Sequence, residues 1–289
     1  MHTRRTFVPV AEPFELGLSI KFLAGFSPMI GEVALGECSL DKTWMHRGRP
    51  IAVTVRAERA GLACALRSPE PIDDEAEHAI ADRVAFFLSA TDDVEAFYAL
   101  AEHDEPFAPV ARRLRGLHHP KFPTPFESAC WAVINQRVPL AQARKMKAAI
   151  VAKWGAARAF PEAATLAKAS LAELGRTIGN ERKARAVFAV SQAFAKRDEK
   201  WLQTAPIAEV ESWLRSIWGV GDFSVAFILY RGLGRSLPPP LGLPWSDKFV
   251  DAAKETYGRA TRADLEKKAA HYGPWTGYWS LYLWGAGFV

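Results

Sequence analysis

Cysteine is scarce in this chain. Only Cys38, Cys64 and Cys130 occur in 289 residues, far apart and with no CxxC pair. A disulfide framework and a structural zinc site are therefore not expected. Free, mostly buried thiols in a reducing compartment are the reading that remains. Long apolar runs are missing too, and none approaches the ~18 residues a membrane helix needs. The opening MHTRRTFVPVAEPFELG has two arginines but no apolar stretch behind them, so no secretory leader is expected. These absences predict a soluble cytoplasmic protein with no membrane partner. Repeats of fixed period are absent, and the short LPPPLGLP segment is the one compositionally biased tract.

Acidic charge is lacking in one part of the chain and basic charge in the other. Residues 1–110 carry 10 Lys/Arg against 18 Asp/Glu, a net −8, whereas the whole chain is +5, so the remainder holds +13. Such segregation suits a C-terminal part that faces a polyanion, nucleic acid first among them. A basic helical surface without a special partner is the plainer reading.

The hydrophobic pattern changes along the chain. In PIAVTVRAERAGLACALRSPE, Ile51, Val53 and Val55 alternate with Ala52, Thr54 and Arg56, the period of a half-buried strand, and Gly61 suits a hairpin turn. FELGLSIKFL fits either a strand or a short helix. From Asp73 onward DDEAEHAIADRVAFFLSA begins with acids and carries a spaced apolar face, as an amphipathic helix does. Helical patterns then dominate to the end, with a basic connector, RRLRGLHHPKFPTP, between the helices of TDDVEAFYALAEHD and FESACWAVINQ. Pro139, after the Arg137-Val138 step, suits the first turn of a following helix. The fold class expected is α+β: a small antiparallel-sheet domain over residues 1–112, then a mainly α-helical, two-lobed domain over 113–289.

Within the helical part, VESWLRSIWGVGDFSVAFILYRGL reads as two helices around a hairpin at residues 217–221. Gly219 and Gly221 tolerate unusual backbone angles and leave no side chain in the way of a close approach. The second helix starts at Asp222, and free N–H groups at such a terminus attract anions. An ordinary helical hairpin with a glycine cap and a phosphate grip both fit this stretch. A grip of that kind would hold a nucleic-acid backbone without reading bases.

The order LRSIWGVGDFSVAFILYRGLGR…LPWSDKFVDAAKETYG resembles the helix-hairpin-helix DNA glycosylases, and most of all their bacterial 3-methyladenine DNA glycosylase II group. RRLRGLHHPKFPTPFESACWAVINQ, FPEAATLAKASLAELGRTIGNERKARAV and HYGPWTGYWSLYLWG resemble further segments of that group, so the match spans roughly residues 85–289. The resemblance implies an enzyme of base excision repair that flips a damaged base from double-stranded DNA and hydrolyses its N-glycosidic bond. It implies alkylated purines as substrates: 3-methyladenine, with 7-methylguanine, hypoxanthine and ethenoadenine beside it. A noncatalytic helix-hairpin-helix DNA-binding protein is the alternative.

By the same resemblance Asp247, in Pro244-Trp245-Ser246-Asp247, is the catalytic carboxylate, and Asp251 is the fallback. A helix cap is the plainer role for Asp247. Phe223, Phe227 and Trp284 fall at base-pocket positions, with core packing as their alternative, and Trp131, Trp218 and Trp275 are read as core. Gln136 matches a glutamine facing the flipped base. Arg137 stands where a wedge side chain enters the duplex, and it could instead touch phosphate. Gly219, Val220 and Gly221 are implied to grip DNA. The backbone carbonyls of Arg215, Ile217 and Val220 would hold a sodium or potassium ion, and no other cofactor is needed. Related lyases place a lysine where Phe223 stands, and no cysteine follows the hairpin to carry an iron–sulfur cluster. A monomeric, monofunctional enzyme is expected. Asp222 and the loop from Arg235 to Pro244, stiffened by Pro238, Pro239 and Pro240, depart from the group's pattern.

Overall fold

The computed structural model describes residues 1–235 and 247–286, and the side chains of Asp247 and Lys248 lie outside that description. Strands β1 (His2–Pro9), β2 (Val33–Leu35), β3 (Ser39–His46), β4 (Arg49–Glu58) and β5 (Gly61–Ser68) form one antiparallel sheet in the order β1-β5-β4-β3-β2. Alternation sends Ile51, Val53 and Val55 of β4, and Leu62, Cys64 and Leu66 of β5, into the core. FELGLSIKFL resolves as helix, with α1 spanning Leu16–Gly25. The hairpin between β4 and β5 turns at Arg59-Ala60, with Ala60 at φ 62°, so the turn residue is not Gly61. Gly61 is fixed instead by the close approach of β1, because a side chain there would strike the Phe7 ring.

Helix α2 (Asp74–Leu88) covers the sheet through Ile80, Val84, Phe87 and Leu88, and Phe87 meets Trp44 of β3 at 5.9 Å. Its start follows the expected logic: the Asp73 side chain accepts the Ala76 N–H at 2.8 Å. Two short helices, α3 (Glu95–Glu102) and α4 (Ala108–Arg113), precede the basic connector. That connector is buried from Gly116 to Pro123 rather than exposed. Its polar groups are satisfied inside the protein: Lys121 N donates to Phe87 O, Phe122 N to Arg231 O, and Ser89 Oγ to His119 O.

The helical part runs through α5 (Pro125–Ile134), α6 (Leu140–Trp154), α7 (Ala163–Leu166), α8 (Leu171–Ile178) and α9 (Glu181–Phe194). It continues with α10 (Glu199–Thr204), α11 (Ile207–Ser216), α12 (Asp222–Phe227), α13 (Asp247–Tyr257), α14 (Arg262–Tyr272) and α15 (Thr276–Gly285). Thr124 caps the wholly buried α5 by accepting the Glu127 N–H at 3.1 Å, with Pro125 in the first turn. Pro139 stands one residue ahead of α6, at its cap. A buried ionic cluster locks sheet domain to helices. Lys147 of α6 pairs with Glu127 of α5 at 2.6 Å and with Glu32 at 2.7 Å, and Lys42 of β3 lies 3.5 Å from Glu32.

Candidate nucleic-acid interface and base site

Helices α11 and α12 meet at the predicted hairpin. Apolar Val210 and Leu214 on one, and Val225 and Ala226 on the other, bury its inner face. The turn closes with Val220 N donating to Ile217 O at 3.1 Å. Gly219 has φ 88°, and a Cβ there would lie 2.8 Å from Ala186 Cβ on α9. Gly221 is different: its φ of −97° suits any residue, and a Cβ would meet no atom within 4 Å. The space beside Gly221 is therefore open on the side from which a ligand backbone could come.

That space is a groove of about 940 Å³, and Gln136, Arg137, Gly219, Val220, Gly221 and Phe223 all line it. Four predicted DNA-contact positions and two predicted base-pocket residues, Gln136 and Phe223, thus share one surface. Asn180, Arg182 and Lys183 of the α8–α9 turn and α9 form its other wall. Trp218, read from the sequence as core, is 41% exposed and lies in the groove, with the Arg185 guanidinium 4.4 Å from its ring centroid. It stands two residues past the end of α11, in the turn of the hairpin. Its position beside the hairpin glycines was the signal that could have marked it.

The break between α5 and α6 is held open at a cost. Arg137 is exposed and sits at φ 53°, a left-handed conformation that costs a residue with a Cβ about 1–2 kcal/mol. Behind it, Lys183 is 8% exposed, and its ammonium donates to the carbonyls of Val133 at 2.8 Å and Gln136 at 2.7 Å. This cation satisfies orphan carbonyls at the end of α5. Burial, with Arg182 nearby, lowers its affinity for the proton. The Gln136 side chain is engaged in the protein, its amide nitrogen donating to Gly219 O and Ser224 Oγ, each at 2.8 Å. It therefore ties the helix break to the hairpin.

Asp222, which opposes a phosphate in principle, is ion-paired across the hairpin with Arg215. Arg215 also pairs with Glu211 at 2.6 Å, so one arginine serves two carboxylates. Arg137, Arg182 and Lys183 outweigh the charge left over on the groove wall.

The predicted pocket aromatics occupy one extended row. Phe223, 43% exposed, lies 6.1 Å from Phe227, which meets Phe122 edge-on at 5.7 Å. Phe122 meets Phe26 at 5.4 Å, Phe26 stacks on Phe22 at 5.8 Å, and Phe22 meets Trp284 at 5.8 Å. Phe227 and Trp284 are thus joined through three rings that sequence reasoning did not single out. Two of these come from α1 and the residue just past it, a segment whose pattern did not even settle helix against strand. One π-helical turn, Ile228–Gly232, extends α12 and carries Arg231 to this row. Arg231 is 6% exposed, and its Nη1 bonds to His119 Nε2. Burial pushes its pKa down to about 10, so it is charged at neutral pH. Burial, then the charges of Arg231 and Lys121, hold His119 neutral well below its ordinary range. His119 stacks on Tyr230 at 4.5 Å.

Asp247 is the first residue of α13, and the Pro244-Trp245-Ser246 segment and the proline loop before it lie outside the described residues. Helix α13 is anchored firmly. Tyr257 and Tyr272 donate to the buried Asp104 carboxylate at 2.8 and 3.2 Å, Lys268 pairs with it at 2.7 Å, and Trp279 donates to Tyr257 Oη at 2.9 Å. Asp251 is exposed and paired with Lys254 at 3.0 Å. Among the described residues no group of three or more His, Cys, Asp or Glu side chains could hold a metal ion, and no helix is long and apolar enough to cross a membrane.

No family model matches the chain. A DNA-3-methyladenine glycosylase of Bacillus subtilis is 22% identical over 247 residues, covering 81% of this chain and 80% of its own length. Among solved structures, a 3-methyladenine DNA glycosylase from Archaeoglobus fulgidus superposes with a TM-score of 0.75 at 19% identity, covering 97% of both chains. An 8-oxoguanine glycosylase/lyase from Clostridium acetobutylicum gives 0.66 at 13% identity, over 100% of this chain and 98% of its own. The likeness takes in the sheet domain as well as the helices, and the chain has the fold of the helix-hairpin-helix DNA glycosylases that its sequence resembles.

Proposed function

We propose that the chain is a monofunctional DNA glycosylase of base excision repair. It flips damaged purines from double-stranded DNA and hydrolyses their N-glycosidic bonds, acting as a monomer. The observation that carries this reading is the single groove shared by the helix break at Gln136-Arg137 and the open face of the hairpin at Gly221. A backbone gripped at Gly219–Gly221 leaves Arg137, exposed in its left-handed conformation, to enter the duplex and fill the gap of the displaced nucleotide. The exposed Phe223 and the half-buried Phe227 and Trp284 then offer stacking surface to the base. Its substrates are damaged purines of the class named by the resemblance and by the B. subtilis and A. fulgidus relatives, 3-methyladenine among them.

Asp247 supplies the chemistry in this reading. Cleavage builds positive charge on the sugar, and a fixed carboxylate in a water-poor site stabilises that charge and orients the attacking water. Phe223 stands where a lyase would need its Schiff-base lysine, so the abasic product leaves with its strand intact. A sodium or potassium ion on the carbonyls of Arg215, Ile217 and Val220 fits the tight turn, in which Ile217 O already accepts Val220 N–H and keeps a lone pair. Such an ion would reinforce the phosphate grip and takes no part in bond cleavage.

The test uses duplexes bearing one alkylated or deaminated purine. Wild type releases the base, and Asp247→Asn loses roughly 10²–10³-fold in rate while binding DNA equally. Release of no base by either protein, with equal binding, establishes the noncatalytic DNA-binding protein instead. Strand breaks appear only after alkali; nicking trapped covalently by borohydride would overturn the monofunctional reading.

A further inference from the structure

A second groove, of about 700 Å³, shares a rim with the first at the α8–α9 turn. Gly175, Arg176, Gly179, Asn180, Glu181 and Arg185 line it. Asn180 lines both grooves, and Arg185 of the second lies over the ring of Trp218 in the first, 4.4 Å from its centroid. Neither the grip at the hairpin nor the chemistry at Asp247 makes use of this second groove.

Charge on the joined surface is one-sided. Arg137, Arg176, Arg182, Lys183 and Arg185 stand on its walls against Asp222 and Glu181, and Arg215 already pairs with Asp222. Arg176, Arg182 and Arg185 are exposed, and among the described residues their guanidinium groups have no ion-pair or hydrogen-bond partner. Arg185 is nonetheless held, because the Trp218 face attracts its cation. A guanidinium lying over a ring keeps its in-plane fork of N–H donors free for another acceptor.

The groove floor points the same way. Gly179, at φ 68°, is explained by its place at the end of α8. Gly175 is not: it lies inside α8, where glycine is less favourable than alanine, and a Cβ there would meet no atom within 4 Å. Packing does not ask for glycine at this position. Its bare backbone leaves room for another chain to come close, as the space beside Gly221 does.

We propose that the second groove holds the phosphate backbone of duplex flanking the lesion, with Arg176 and Arg185 bonding phosphates and Trp218 orienting Arg185. The inference rests on the glycosylase reading for the seat of the lesion and extends the contact surface beyond the hairpin. DNA seated between Gly221 and Arg137 must leave the first groove across a rim, and the rim at Asn180 opens onto free cations. Guanidinium forks match phosphate oxygens and read no base, so the contact positions the duplex without choosing its sequence.

Duplexes carrying one stable abasic-site analogue, trimmed one base pair at a time from either end, test this by fluorescence anisotropy. Wild type should lose affinity as one flank is shortened. The Arg176→Gln, Arg185→Gln double variant should bind the full-length duplex no better than wild type binds the trimmed one. Its log K should also fall less steeply with log salt, by about 2 in slope for two lost phosphate contacts. Trp218→Ala should weaken the full-length complex, and the same change made on Arg185→Gln should add nothing, since the ring acts through the guanidinium. Gly175→Leu, which removes no charge and favours the helix, should abolish the flank dependence as well.

The proposal is overturned by flank dependence that survives in the double variant or in Gly175→Leu, or that is absent from wild type. A Trp218→Ala loss that adds in full to that of Arg185→Gln overturns it too. Failure here and failure of the glycosylase reading look different. Base release by a wild type indifferent to both flanks keeps the enzyme and removes the second groove from its DNA path. Flank dependence that requires the two arginines, in a protein that releases no base, supports the contact and removes the enzyme.

Discussion

A methyl group added at Gly219 would sit 2.8 Å from Ala186 Cβ, on backbone at φ 88°, whereas one added at Gly221 would meet nothing. The two hairpin glycines, identical in the sequence, are therefore under different constraints. Gly219→Ala should lower stability by about 1–3 kcal/mol, since it combines a clash with a disfavoured φ. Gly221→Ala should leave the melting temperature nearly unchanged and weaken duplex binding several-fold, because the new methyl stands where a phosphate must come close. Thermal melts and fluorescence anisotropy on an undamaged duplex check both, and comparable stability loss in the two variants would refute the division. The same scale shows what sequence reasoning could reach. The spacing G-V-G was legible, yet which glycine is held by packing and which borders open space depended on Ala186, which lies on α9, far away in the sequence.

At the scale of elements, the working parts of the groove are the ends of helices. The break between α5 and α6 was visible in Arg137-Val138-Pro139, but its brace was not: Lys183, from α9, donates to Val133 O and Gln136 O. Replacing it by methionine leaves two carbonyls without their charged donor, a loss of about 1.5–3 kcal/mol. Lys183→Met should lower the unfolding midpoint accordingly and should also slow lesion excision, since Arg137 loses its fixed base. Urea unfolding together with single-turnover release measures the two effects; normal excision by the destabilised variant would show that the brace serves the fold alone. Helix α13 has a comparable support in Asp104, which gathers Tyr257, Tyr272 and Lys268 around the helix that Asp247 begins.

For the whole molecule, burial of the connector between sheet and helices matters most. Its sequence is basic, yet His118, His119 and Lys121 are all buried. Burial, and then Arg231 and Lys121, depress the His119 pKa below the ordinary 6.5. The unfolded chain protonates this imidazole near 6.5 and the folded chain does not, so the associated stability is complete above that pH. It is lost as pH falls from 6.5 toward the depressed folded value, by at most about 1.4 kcal/mol per pH unit. Chemical unfolding between pH 7.5 and 5.5 should show this decline in wild type and a flatter profile in His119→Gln. Equal slopes would show that His119 is not the group responsible.

Sequence alone determined the elements whose cause is local. The alternation in β4, the acid-rich start of α2 and the hairpin at residues 217–221 all follow from neighbours in the chain, and they appear where expected. The resemblance that marked Asp247, Gln136, Arg137 and the pocket aromatics is likewise a property of linear order. Tertiary structure decided what depends on burial and on distant partners. It brought Phe22 and Phe26 from the sheet domain between Phe227 and Trp284, left Trp218 exposed, paired Asp222 with Arg215, and buried Arg231 with no carboxylate partner among the described residues. None of these is encoded by period or spacing, because the free energy of a buried charge or an aromatic contact is set by whatever the folded chain places around it.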